Sequence, residues 1–475
     1  MDALYQVEHW QQRWHGMKQV MQDWLAHYPS VSTAQATGGA DYLAQTHTAQ
    51  QTLASLLESL QAFGQSQLDF FADGLGPNPA YRLEPSLEYP WEYAFRVTVE
   101  QIGHDMDVLT RAFQQRNLSL GNDAARQTLA QADKLAYAAL KPAIDNKLID
   151  SDVTTITYFQ KSVNVRLTPY APVVLVGIPY SAITSKRDLL MIPHEVGHYV
   201  FREGRARAGR YSAVRLNAAL YNRSMQPPAW LLPWLEEIFA DVYGCLIGGP
   251  VMALSSQDLV LESSLNAFLA DDGEHPVPLL RPAIYLAVLE AMVNYKRAAR
   301  KLEKRWERLL AERGQPAIFQ LQADGKSVSV KEAVDEMRAV VKMILQDYLH
   351  EVLDAKREVW SDDLGEGENA EQLTAKFEQK MALVEAAAPV APSLTTAGTR
   401  GGDSELVMMR GEKQAHKRKL GNTELWFETI KSAARRAASS EGEAGMLSVP
   451  ADVWLVLLTA GGWATEGPGM PNITS

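Results

Sequence analysis

The sequence predicts an α+β fold that is predominantly α-helical, and three observations carry the prediction. Long stretches before residue 150 and after residue 190 repeat apolar residues at three- and four-residue steps, the amphipathic-helix period. Only one stretch, Thr154 to Ile183, is rich in β-branched and aromatic residues in runs of strand length. The 475 residues are 46% hydrophobic and 22% charged, which supplies a buried core and excludes a disordered, collagenous or membrane-embedded chain. That length calls for two or three folded units.

In chain order, Asp2 to about Tyr28 and Asp41 to about Phe71 read as amphipathic helices whose stripes (Trp10, Trp14, Trp24, Leu53, Leu57, Leu60) form core. The Gly/Pro/Asn-rich segment Asp73 to Pro79 then breaks the chain before two more helices, about Tyr93 to Arg116 and Asp123 to Leu140. Residues 1–150 thus read as an N-terminal helical domain. TTITYF, SVNVRL and VVLVGIP read as strands, and Asp188–Gly204 and Trp234–Leu246 as helices within a core domain of residues 151–300. Arg281 to about Glu312 reads as one long charged helix, leading into a helical region of residues 301–385 that includes a helix from Val330 to Lys356 and an acidic break at Ser361–Glu371. Residues 386–475 read as a linker, Ala386 to Ser404, followed by a tail.

With 46 basic and 57 acidic residues the formal net charge is −11, so the chain is not a general polyanion binder. One cysteine, Cys245, allows neither an internal disulfide nor a cysteine-based zinc site, so any metal must use histidine and carboxylate. The first residues, MDALYQVEHWQQRWHGMKQVMQDW, lack the apolar core of a secretory signal, which leads us to expect a cytoplasmic protein. The most apolar run, Val453 to Ala460, is far short of the roughly 20 residues of a membrane span.

The segment MIPHEVGHYVF carries the chemistry. His194 and His198 are four residues apart, so on a helix they share one face and can bind one Zn2+, with Glu195 alongside to hold a metal-bound water. Met191, Ile192, Val196, Val200 and Phe201 give that helix an apolar face. Pro193 fits if it lies in the first helical turn. A catalytic zinc needs a third protein ligand, and no histidine occurs between His198 and His275. In WLEEIFADVYG, Glu237 and Asp241 are four apart, so Glu237 can ligate while Asp241 accepts a hydrogen bond from a ligand imidazole. Glu236 competes, but the residue four beyond it is Ala240.

HExxH followed by ExxxD on a downstream helix resembles the gluzincin metallopeptidases, over roughly Thr154 to Glu290. The resemblance implies a zincin-like domain with a small sheet, flanked by helical domains, that hydrolyses peptide bonds with Zn2+. It implies His194, His198 and Glu237 as ligands, Asp241 behind His194, and Glu195 as the base that activates the zinc-bound water. Many gluzincins place a histidine downstream to stabilise the oxyanion, and His275 in DDGEHPVPLLR looks similar. Arg281 can anchor a substrate carbonyl or carboxylate, or pair with Asp271 or Asp272. By position, Val173–Pro179 would be the edge strand that pairs with an extended peptide or protein substrate.

Outside this region, Met408 to Arg436 holds eight Lys/Arg and three Glu, a basic tail able to touch nucleic acid, an acidic partner or a membrane surface. The apolar end, PADVWLVLLTAGGW, can serve as a docking peptide. Two competing readings therefore stand beside the peptidase: a non-catalytic helical interaction protein with a zinc-stapled core, and a regulator that contacts nucleic acid through the tail.

Overall fold

The computed structural model describes residues 3–27, 40–72, 92–117, 123–161, 164–168, 170–208, 212–221, 227–355 and 358–394. The break at 73–79, linker residues 395–404, the basic segment 408–436 and the apolar end all lie outside them. The described chain is predominantly helical with a small sheet. It divides into two compact units: one takes in the described residues up to 117 with 167–175 and 392–394, the other those of 123–166 and 176–391.

The first unit contains α1 (Ala3–His27), α2 (Ala40–Ala72) and α3 (Glu92–Gln115), each within two residues of the periodicity reading. Trp10, Trp14, Leu53, Leu57 and Leu60 are buried as expected, whereas Trp24 is half-buried. Leu394 is docked rather than solvated: its N–H donates to Thr52 Oγ1 at 3.0 Å, and Ser55 Oγ donates to its carbonyl at 3.3 Å. The linker expected from Ala386 therefore does not begin there, since apolar side chains at 388, 391 and 394 are all buried.

The second unit starts with α4 (Asp123–Asp145), so the N-terminal helices divide after the third instead of closing a domain at residue 150. Strands β1 (Thr154–Gln160), β2 (Asn164–Leu167) and β3 (Val173–Pro179) follow along the chain, in the sheet order β1-β3-β2, with Leu167 and Val173–Leu175 belonging to the first unit. Thus β3 is the central strand, and the expectation that Val173–Pro179 offers an edge to a peptide is corrected, because both its sides are already hydrogen-bonded. β1 is an edge strand, and on it the Thr157 N–H donates to Asp133 Oδ1 of α4 at 2.7 Å.

Next come α5 (Met191–Glu203), a hairpin of β4 (Arg205–Ala208) and β5 (Ser212–Arg215), α6 (Leu216–Tyr221), α7 (Leu235–Gly248), α8 (Pro250–Leu261) and α9 (Leu265–Leu269). Pro193 is the third residue of α5, where no intrahelical partner for an N–H is lost. The predicted long helix is instead α10 (Arg281–Ala291) and α11 (Lys296–Glu312), separated where Met292 turns extended. No Gly or Pro marks this break. α10 is buried nearly all round, whereas α11 buries a stripe of Ala298, Ala299, Leu302 and Trp306, and one straight rod would not serve both. The chain closes with a hairpin of β6 (Ile318–Gln320) and β7 (Ser327–Ser329), α12 (Val330–Met343), α13 (His350–Asp354) and α14 (Ala370–Ala387). A π-type turn, Ile344–Tyr348, interrupts the helix expected to run to Lys356. No described helix is long and apolar enough to cross a membrane.

The pairing of α5 with α7 positions everything that follows. A Cβ on Gly197 would stand 2.8 Å from Ala240 Cα, and one on Gly244 would stand 3.2 Å from the His194 backbone N and Cα. The helices therefore meet backbone to backbone. An interior helical glycine normally costs about 1 kcal/mol relative to alanine, so Gly→Ala should normally stabilise. At Gly197 the sign should reverse, and chemical denaturation should show Gly197→Ala destabilising the second unit by about 1–3 kcal/mol. Gly16 of α1 has nothing within 4 Å of its would-be Cβ, and Gly16→Ala should stabilise by about 0.4–1 kcal/mol.

Candidate metal centre

α5 carries His194, Glu195 and His198 along one stretch, and α7 presents Glu237 to both imidazoles. His194 Nε2 and His198 Nε2 are 3.2 Å apart, Glu237 Oε2 is 3.5 Å from the former, and Glu237 Oε1 is 3.3 Å from the latter. These three residues form the metal-capable cluster among the described residues, and together they could hold a metal ion. Glu195, beside His194 on the helix, is only 6% exposed. Glu236 and Glu237 lie in the first turn of α7, where the aligned peptide dipoles favour negative charge.

Each imidazole has a carboxylate behind its other nitrogen. His194 Nδ1 lies 2.9 Å from Asp241 Oδ1, although its N–H does not point squarely at that oxygen. Asp241 is fully buried and held by three other bonds: Arg281 donates from Nε at 2.7 Å and from Nη2 at 2.9 Å, and the Tyr285 hydroxyl donates to Oδ1. Burial alone would push the Asp241 carboxyl up; the Arg281 guanidinium and the His194 imidazole outweigh it and hold it far below the usual carboxylate range. Burial and the Asp241 charge push the Tyr285 hydroxyl well up, which keeps it a donor.

His198 Nδ1 lies 3.1 Å from Glu236 Oε1, and the same oxygen accepts from Arg202 Nε at 2.7 Å. Burial would lower the His198 pKa, but the hydrogen bond to Glu236 and the charges of Glu237 and Glu195 raise it. Glu236 is held below the usual range despite its burial, by His198 and Arg202.

Arg281 is inside the site, but its acid is Asp241 and not Asp271 or Asp272; its Nη2 also donates to Glu237 Oε2 at 3.2 Å. His275 stands at the rim, 46% exposed, with Nε2 3.7 Å from Glu237 Oε1. Its turn is set by carboxylates. Asp272 accepts from the Glu274 and His275 N–H groups and from His275 Nδ1 at 2.9 Å, while Asp271 accepts from the Trp234 indole at 3.2 Å. Sequence reasoning missed Arg202 and Tyr285 as members of the site, and weighed Glu236 only as a rival of Glu237 for the ligand position. Helical spacing held a signal for both missed residues: Arg202 is four residues beyond His198, and Tyr285 four beyond Arg281.

Asp241→Asn leaves a buried guanidinium without its carboxylate and should cost about 3–5 kcal/mol near neutral pH by denaturant titration. A depressed carboxyl stabilises above its unfolded pKa of about 3.9 and loses that contribution as pH falls towards its folded value. The deficit of the variant should therefore shrink below about pH 4. No protein-family model matches the chain, and neither a curated protein nor a solved structure matches it significantly, so its function is to be read from this centre.

Proposed function

We propose that the protein is a zinc-dependent metallopeptidase of gluzincin type, and the observation that carries this reading is the packing of three donor residues around one point. Zn–N bonds of about 2.0–2.1 Å in a tetrahedron put neighbouring donors about 3.3–3.4 Å apart, close to the 3.2 Å between the two imidazole nitrogens; Glu237 brings a different oxygen to each imidazole, at 3.3 and 3.5 Å, and one donor atom from each of the three residues lies within 4.8 Å of the others. Two imidazoles and a carboxylate are also the ligand chemistry of a catalytic zinc with an open position. The surrounding charge agrees: Glu195, Glu236, Glu237 and Asp241 against Arg202 and Arg281 leave a formal charge of −2, matching a dication. The two arginines offset only half of the formal negative charge of the four carboxylates.

When bound, zinc would polarise the scissile carbonyl and acidify the attacking water. Glu195 takes a proton from that water and delivers it to the leaving amine. His275, at the rim with Nε2 3.7 Å from Glu237 Oε1, is placed to donate from Nε2 to the oxygen that gains charge. Arg281 has Nε and Nη2 committed to Asp241 and Glu237, which confines its part in substrate binding to Nη1. The substrate is a peptide or protein.

Elemental analysis should find roughly one zinc per chain in the wild type and little in His194→Ala, since two remaining ligands bind poorly. Glu195→Gln should keep zinc while cleavage of an unbiased peptide library falls by about 10²–10⁴-fold. Wild-type turnover in a zinc-replete Glu195→Gln preparation would overturn the reading.

A further inference from the structure

Glu236 was set aside by the spacing argument because the residue four beyond it is Ala240. Its surroundings give it a different task. Its Oε1 lies 3.1 Å from His198 Nδ1 and 2.7 Å from Arg202 Nε, and both of these side chains come from α5, one helical turn apart. An imidazole that donates from Nδ1 leaves Nε2 unprotonated, and His198 Nε2 is the nitrogen that faces His194 and Glu237. Asp241 stands behind the other imidazole, 2.9 Å from His194 Nδ1 but less well aligned with it. The helix α7 thus supplies three carboxylates: Glu237 between the two imidazoles, Asp241 behind one and Glu236 behind the other. The pair is uneven, because Asp241 is fully buried while the Glu236 side chain is 22% exposed.

We propose that Glu236 is a positioning residue for the metal ligand His198, selecting its Nδ1–H tautomer and ring orientation, with Arg202 fixing the carboxylate in turn. The proposal rests on the zinc reading above and deepens it. A ligand imidazole that donates its second N–H to a carboxylate is a stronger and better oriented ligand, and loss of such a partner costs about 10–100-fold in metal affinity. Arg202 acts at one remove. Without it the carboxylate keeps its charge and its bond to His198 but loses its second anchor.

The test is zinc competition against a chromophoric chelator and the visible spectrum of the Co2+-substituted protein, on wild type, Glu236→Ala, Glu236→Gln, Arg202→Met and Asp241→Asn. Glu236→Ala should raise the zinc Kd by about 10–100-fold and shift the cobalt d–d bands. Glu236→Gln keeps an acceptor oxygen for Nδ1 in the same shape, so it should fold as wild type and recover part of the loss. Arg202→Met should fall closer to wild type than Glu236→Ala does. If the residue only tied α7 to α5, Glu236→Ala would lower the denaturation midpoint and leave Kd and cobalt spectrum unchanged. That result, with Asp241→Asn weakened, overturns this proposal and leaves the zinc reading intact. If Glu236→Ala does not fold, Glu236→Met, which keeps the side-chain volume but offers no acceptor oxygen, takes its place, and a wild-type Kd and cobalt spectrum in it overturn the proposal. A wild-type protein that takes up neither zinc nor cobalt overturns the zinc reading and this proposal with it.

Discussion

The close crossing of α5 and α7 is the constraint on which the centre depends. Imidazole and carboxylate side chains reach only a few ångströms from their backbones, so donors on two helices converge at 3.2–3.5 Å only if the helices are near contact. Gly197 lies between Glu195 and His198 and rests on Ala240; Gly244 rests on the backbone of His194, the first of the two histidines. Two small residues thus sit one beside each end of the ligand set. Further support comes from α4, where the Ala139 carbonyl accepts a 2.7 Å hydrogen bond from the Tyr243 hydroxyl of α7.

Electrostatics then sets the cost of this arrangement. Bringing Glu195, Glu236, Glu237 and Asp241 to one pair of imidazoles is unfavourable by itself, and Glu236, Glu237 and Asp241 are each answered by a specific donor. Arg281 grips Asp241 through two nitrogens and reaches Glu237, and Arg202 holds Glu236. The two arginines differ in their surroundings. Arg281 is itself largely buried and further braced through Asp241 by Tyr285, whereas Arg202 lies nearer the surface.

Much of the fold was legible because helix period and strand composition are local properties. The bounds of α1 to α3 and the composition of the three strands follow from residues within each segment, and so does the helical placement of His194 and His198. Sheet order was not legible: nothing in VVLVGIP distinguishes an edge strand from the central strand it becomes, because order depends on which neighbours return to it. The break between α10 and α11 was hidden for a similar reason, there being no Gly or Pro to mark it. Within the centre, spacing picked out Glu237 and Asp241 and passed over Glu236, because an ExxxD pattern describes one helix and Glu236 meets its partners on another.

The chain distances within the centre carry a consequence for how it is assembled. His194, His198 and Glu237 fall within a span of 44 residues, while Arg281 and Tyr285 arrive from another helix some 40 residues further on. Loop closure over short separations costs less entropy and comes earlier in folding. His194, His198 and Glu237 can therefore come together during synthesis as soon as α7 docks on α5, before α10 has emerged to neutralise Asp241. On this order of events, a dication captured by the nascent helix pair would stabilise it through the interval in which its carboxylates still lack their buried arginine.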